Sequence, residues 1–414
     1  MSMREILQSN WVACALLVLG AFSPGANAQD AAVPEGLGFE AGPFRFVPSL
    51  GLTYSYDDNV ARTAEFEQGT HFHVVSPGIR VELPTRNALL SLTWEYDFGR
   101  YRSYRIGGFD YDGLDDYDDR LLALDLSWSP TSRHRIEAWA MDVEGHDDRG
   151  VGSRQGFGAL EPIPVDTWEE SSVGARWEYG GTTARGRLTL DAGLDQREYT
   201  NNPDYTSFRS YDSRHLGAGF DWRVRSRLRL GVGVDSADFS YDTPSPSGSL
   251  DSDQLAYFLT AGWDVGTKTS GTVRLGRQRK DFDDPLRGGE TNAYWQVEAN
   301  WRPKTYSELT LGTSSQAQET EGFGDYIQRR EYRLGWRHEW LNRLDTTLEA
   351  GVYDEAYQNS DRQDDTTWWG VSGRWQISRH LQVGAGWKYH DRDSNDSFYS
   401  YEQNVYTVTL EGSL

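Results

Sequence analysis

Apolar and polar residues alternate along most of this chain. Within 293–301, Ala293, Trp295, Val297, Ala299 and Trp301 fall on one face, and Tyr294, Gln296, Glu298 and Asn300 on the other. Leu381, Val383, Ala385, Trp387 and Tyr389 oppose Gln382, Gly384, Gly386, Lys388 and His390 in the same way. So do Leu344, Thr346, Leu348, Ala350 and Val352 against Asp345, Thr347, Glu349 and Gly351. Successive side chains of a strand point to opposite sides, so a period of two predicts strands. No comparable stretch repeats at the helical period. The polar faces are too charged for a sandwich core, and the apolar faces recur too uniformly to face water. A transmembrane β-barrel resolves both, because its apolar side meets lipid and its polar side meets a wet lumen.

The connections give an independent reading. Short links occur at 84–87, 129–132, 180–182, 225–226, 266–268, 303–304, 341–343 and 378–380. Long polar connections alternate with them at 57–68, 101–119, 144–170, 198–212, 238–253, 281–290, 317–325, 354–365 and 391–402. Eight short and nine long connections predict an all-β, antiparallel outer-membrane barrel of about 18 strands. Weak strand signals near 133–143 and 69–83 leave 16 as the alternative. An 18-stranded barrel is wide enough for an aqueous channel. Tyr406, Val408, Leu410 and Leu414 share one face and are expected to close the sheet at its C-terminal end.

Composition narrows the class further. The chain has 414 residues, 63 Asp and Glu against 41 Lys and Arg, a net charge of −22, and a mean hydropathy of −0.69. Such hydropathy excludes a bundle of membrane helices, each of which needs about 20 mainly apolar residues. The acidity argues against nucleic-acid binding, which needs a basic face. The charge is unevenly spread: the nine long connections hold 40 acidic and 9 basic residues. Acidic outer loops above a mildly basic lumen and periplasmic rim are therefore expected.

Residues 1–28 read as a secretory signal peptide, with Arg4 in a polar start, an apolar run from Trp11 to Phe22, and Ala26, Asn27 and Ala28 as a small-x-small cleavage site. Cys14 is the only cysteine and lies inside that apolar run, so no disulfide framework follows. Residues 29–43 would form a short periplasmic segment and 44–414 the barrel. The expected location is the Gram-negative outer membrane.

Candidate chemistry is sparse. Arg223, Arg225, Arg227 and Arg229 alternate with Trp222, Val224, Leu228 and Leu230, so several should enter the lumen near the periplasmic mouth. There they would guide an anionic solute, or pair with Asp221, Asp235 or Glu298 and stiffen the wall. Aromatic faces pack on sugar rings, and Tyr54, Tyr56 and 16 Trp invite that reading. Trp177, Trp263, Trp301, Trp340 and Trp375, however, lie on the apolar register near short turns, as an interfacial girdle does. Tyr294, Phe258 and Trp368 point inward and are the better cargo contacts. His71 and His73 share one strand face and read as lumen residues without a third metal ligand. Asp391, Asp393, Asn395 and Glu402 have calcium-loop spacing, but Asp396 stands where the loop needs Gly. No catalytic constellation, metal site or cofactor is implied.

Two segments, Phe46-Val47-Pro48-Ser49-Leu50-Gly51-Leu52 and Tyr54-Ser55-Tyr56-Asp57-Asp58-Asn59-Val60, followed by Ser76-Pro77-Gly78-Ile79, carry a family resemblance. The chain resembles the Putative beta-barrel porin family, type 2, of Gram-negative outer membranes. In texture the resemblance runs from about Phe44 to Leu414. Tyr56, Asp57, Asp58 and Asn59 match the family's recurring first-loop motif, read here as a tight turn closing the first strand. The family has no established catalytic residues. Its members often accompany exopolysaccharide synthesis and secretion genes, so the resemblance implies a passive hydrated conduit that assists polysaccharide export. Expected partners are outer-membrane lipid, lipopolysaccharide, the polysaccharide, and periplasmic or inner-membrane export machinery. A general porin, or a plugged barrel that binds partners through acidic loops, is the alternative.

Overall fold

The computed structural model describes residues 38–414 except 182 and 267. The expected signal peptide, 1–28, and the 29–37 part of the expected periplasmic segment lie outside the described residues. The first hairpins are built from β1 (Phe44–Asp57), β2 (Thr70–Pro84), β3 (Ala88–Tyr101), β4 (Tyr117–Thr131), β5 (His134–Asp147) and β6 (Asp166–Tyr179). Next come β7 (Gly186–Tyr199), β8 (Tyr211–Arg225), β9 (Leu228–Tyr241), β10 (Ser252–Val265), β11 (Thr269–Phe282) and β12 (Glu290–Lys304). The set ends with β13 (Ser307–Glu319), β14 (Tyr326–Leu341), β15 (Leu344–Tyr357), β16 (Gln363–Ser378), β17 (Leu381–Ser394) and β18 (Tyr401–Ser413). Each strand pairs antiparallel with the next. β1 pairs with β18 from Ser49 opposite Ser413 to Asp57 opposite Val405, so the sheet closes as an 18-stranded barrel. A three-residue strand, Phe39–Ala41, folds back on the start of β1.

The strands run 13 to 16 residues and outreach their apolar stretches. The long connections are therefore shorter than polarity suggests: L1 58–69, L2 102–116, L3 148–165, L4 200–210, L5 242–251, L6 283–289, L7 320–325, L8 358–362 and L9 395–400. The reason is physical. A polar side chain marks where lipid ends, whereas the ladder continues as long as backbone groups find partners.

The outer face is apolar and uncovered, with Leu216 and Leu259 about two-thirds exposed (66% and 65%). Near the short turns, Trp128, Trp222, Trp301, Trp340 and Trp375 stand outward and exposed. Their polar ends find partners: Trp340 Nε1 donates to Thr346 Oγ1 at 2.8 Å, and Trp177 Nε1 to His134 Nδ1 at 3.0 Å. An apolar body with a satisfied N–H suits the membrane interface. An apolar core of soluble type lies at the opposite end, where Val60, Ala61, Tyr104, Ile106, Tyr111 and Ala159 bring L1, L2 and L3 together.

Candidate functional site

The lumen divides into two zones. In the periplasmic half, inward charges sit in cross-strand pairs that water reaches. Arg176 lies 3.5 Å from Asp191, Arg187 3.3 Å from Asp221, Arg274 3.8 Å from Asp235, and Arg374 3.2 Å from Asp345. The Asp235 side chain is 42% exposed. Large inward rings lie over glycines of neighbouring strands: Phe258 over Gly233, and Trp368 over Gly351, where a Cβ would stand 2.7 Å from its Cε2. Phe258 and Tyr294 pack at 5.5 Å, and the Arg274 guanidinium covers Phe258 at 5.1 Å. Both rings are buried, so most of their faces already belong to the wall. Trp368 keeps more of its surface free.

The four arginines near the β8–β9 turn separate. Arg223 and Arg229 oppose each other across the two strands, half-buried beside Asp221 on the lumen side. A register shift between Arg223 and Arg225 carries Arg225 and Arg227 into the exposed turn. Of the four arginines, several of them expected in the lumen, one pair lies inside and one pair at the periplasmic rim.

The extracellular half is roofed. L3 contains two short 3-10 turns, Gly152–Arg154 and Gly156–Leu160. Its near end is fixed by Arg149, whose Nε donates to Asp115 Oδ1 at 2.6 Å and whose other nitrogens donate to the carbonyls of Ala159, Glu161 and Ile163. Asp115 also accepts from the Tyr104 hydroxyl. The far end reaches L7, L8 and β17, six to eight strands away around a ring of 18 and so on the far side of the barrel. There Gln155 Nε2 donates to Glu321 Oε2 at 2.8 Å, and its Oε1 accepts from Arg362 Nη2 and from Arg392 Nη1, the latter at 3.2 Å. Phe157 packs at a tilt against Phe398 of L9, ring centroids 4.4 Å apart. Beneath this bridge charges are enclosed: Arg362, Asp364 and Arg392 expose 6%, 1% and 8% of their surface. Burial, with Glu355 nearby, raises the Glu321 carboxyl above its ordinary range.

A second intrusion meets L3 from the far wall. The β12–β13 ladder, regular from Trp301 opposite Leu309 to Trp295 opposite Ser315, stops there. Above it the tip of the β13–β14 hairpin leans into the lumen against the inner face of β11. Ala317 N donates to Gln278 Oε1 at 2.8 Å, and Lys280 Nζ to Glu319 Oε1 at 2.5 Å. Tyr241 of β9 donates its hydroxyl to Glu319 as well. Consecutive residues Tyr326, Ile327 and Gln328 are all buried, so both faces of this strand end are covered. An ordinary barrel strand has one face in lipid or headgroups and one in the lumen.

The first-loop motif makes a turn and also stitches the barrel seam. Asn59 N donates to Asp57 Oδ1 at 2.9 Å, the Asx geometry of a tight turn. Beyond the last β1–β18 ladder pair, Asn404 N and Nδ2 both donate to Asp58 at 2.6 and 2.8 Å. Asn59 Nδ2 reaches Glu402 O at 2.7 Å, and Gln403 Nε2 reaches Asp57 Oδ2 at 2.7 Å. Tyr56 turns outward and packs against His71 at 4.7 Å and Tyr406 at 6.4 Å.

His71 and His73 are corrected. They oppose Tyr56 and Tyr54 on the outer face of β2, while the alternate residues Phe72 and Val74 are buried and inward. The apolar side chains on this strand alternate out of phase with the lipid face near its outer end, and that inverted the sequence reading. Asp391 and Glu402 face each other across β17 and β18 instead of forming a loop. The acidic outer end is present, but Asp115, Asp147, Asp148, Glu355 and Asp364 are neutralised by buried arginines, which composition could not reveal.

A closed antiparallel barrel with an apolar outer wall, interfacial tryptophans and a charged lumen defines the porin-like outer-membrane class. Within that class the chain belongs to the Putative beta-barrel porin 2 family, whose model matches residues 33–413. It is similar to the surface lipoprotein assembly modifier 1 of Haemophilus influenzae, at 25% identity over 163 residues, which are 38% of this chain and 33% of that protein. The match thus spans one third of that relative. Among solved structures it resembles a BenF-like porin from Pseudomonas fluorescens Pf-5, with a TM-score of 0.50 and 9% identity over 90% of this chain and 99% of that one. Pseudomonas aeruginosa OccK2 (OpdF) gives a TM-score of 0.49 and 12% identity, covering 89% and 98%. The matched family is a porin family rather than an enzyme family.

Proposed function

We propose that this barrel is a gated, hydrated conduit that assists export of a secreted polysaccharide. The observation that carries the reading is the asymmetry of the lumen. Its periplasmic half is wet and lined by paired charges, whereas its outer end is crossed by L3 and by the β13–β14 tip. A cargo arriving from the periplasm would meet the hydrated lumen first and the roof last. Alternating guanidinium and carboxylate groups offer both donors and acceptors to a hydroxyl-rich chain. Arg223 and Arg229 stand where an acidic polymer would enter, and Trp368 offers a ring face deeper inside. Lipopolysaccharide would surround the outer wall, and an inner-membrane machine would supply the driving force. Removal of 152–160 tests the reading: it should raise single-channel conductance several-fold while the barrel stays folded. Absence of conductance in that variant, and unchanged polymer release on deleting the gene, would overturn it.

The same roof favours a second reading, a permanently plugged barrel that meets a partner through its outer loops. Under it, loss of 152–160 would weaken surface association without changing release of polymer.

A further inference from the structure

The break between β12 and β13 is local. β12 keeps its full ladder with β11 up to Glu290 opposite Lys280, and β13 keeps its ladder with β14 up to Glu319 opposite Tyr326. Only the 290–294 edge of β12, on the side facing β13, lies beyond the shared register. Continuing that register by the strand period places Ala293 opposite Ala317 and Thr291 opposite Glu319. Both strands are therefore long enough to complete the wall. Instead the tip is drawn inward by contacts that are nearly all polar: Glu319 to Lys280 and Tyr241, Ala317 to Gln278, and the Tyr326 hydroxyl to Glu290 and Asn292 at 2.9 and 2.7 Å.

We propose that the tip of the β13–β14 hairpin, with L7, is a hinged section of the barrel wall that swings outward to complete the β12–β13 ladder and so opens the lumen. The inference rests on the conduit reading above and adds how that conduit is gated. The hinge lies at Trp295 and Ser315, where regular pairing ends and Ser315 Oγ donates to Ala293 O at 3.1 Å. Outward motion exchanges one set of polar contacts for another: side-chain bonds to β9 and β11 are lost, and backbone bonds along 290–294 are gained. Two arrangements of similar bonding are what a two-state element requires. The motion also withdraws Glu321 from Gln155, so the far latch of L3 loosens in the same step. A polar chain advancing through the lumen would compete for Lys280 and Glu319 and so favour the outward state.

The test is a Thr291→Cys, Glu319→Cys pair in a Cys14→Ser background, in the full chain inserted in outer-membrane vesicles. In the inward state the wall separates the two positions, whereas directly opposite residues of a completed ladder are close enough for a disulfide. Oxidation should trap the cross-link and raise single-channel conductance several-fold, with reversal on reduction. Glu319→Gln alone should raise the open fraction in the same direction. The gate is overturned if no cross-link forms while both thiols react with a maleimide, or if the cross-linked barrel conducts no more than the reduced one while the variant lacking 152–160 does conduct. If no variant conducts, the conduit reading fails, and the cross-link yield still decides whether the tip moves.

Discussion

The Gln155 amide donates to the Glu321 carboxylate at 2.8 Å, joining residues 166 apart in the chain and carried by opposite walls of the barrel. This one bond ties L3 to the β13–β14 tip, and the same amide accepts from Arg362 and Arg392. Gln155→Ala leaves those groups short of partners in an enclosed site, at a cost of about 1–3 kcal/mol. Planar-bilayer recordings should show more frequent and longer openings. Unchanged gating would mean that L3 is held by its apolar contacts alone.

The barrel seam should depend on the first loop more than on any single ladder bond. Asn59 donates to Glu402 O and Thr63 O and accepts from Thr63 N, while Asp58 accepts twice from Asn404. Asn59→Ala should lower unfolding stability by about 2–3 kcal/mol, read from urea titration of the barrel in micelles. Asp58→Ala should behave similarly, and the pair should be less than additive because they share the β18 partner strand.

Asp148, the first residue of L3, gives the roof a dependence on acid. Burial opposes its ionisation, but the His146 ring nitrogen 3.2 Å away and the Arg62 guanidinium at 3.0 Å outweigh it and hold the carboxyl at about 2. A carboxyl depressed on folding contributes stability above its unfolded value of about 4, and the contribution is lost as pH falls through the folded value. The L1–L3 contact should therefore weaken between roughly pH 4 and pH 2, by on the order of 2 kcal/mol. Conductance measured across this window should rise on acidification, and Asp148→Asn should flatten the response.

The lipid face can be checked at Leu259, which stands 65% exposed on the outer side of β10. Leu259→Arg should destabilise the inserted barrel by about 2–4 kcal/mol if the position sits near the bilayer midplane. His215→Ala, on the inward side of β8, should cost far less, since it removes only a water-accessible contact with Asp195 at 3.3 Å. Equal effects would contradict the assignment of faces.

The wall was readable from residues such as Trp295, Val297 and Ala299 because lipid imposes one simple rule on every outward position. The same period located the eight turns and the inward positions of Phe258, Tyr294 and Trp368. What alternation could not show is where a ladder stops for reasons unrelated to polarity. Ser315 and Ala317 continue the pattern of β13 without interruption, although the strand leaves its neighbour between them. Gln155, Arg362 and Arg392 gave no signal either, because their meeting depends on three loops that are remote in the chain. His71 and His73 misled for the converse reason: near the outer rim, polar and aromatic side chains occupy both faces.

Every far-side partner of Gln155 is synthesised after it: Glu321, Arg362 and Arg392 belong to the last third of the chain. The turn at Asn59 likewise waits for Glu402 and Gln403. A partly inserted sheet therefore has neither its seam nor its roof, and the two are completed by the same late strands. The permeability barrier thus exists only in the complete barrel, once β18 meets β1.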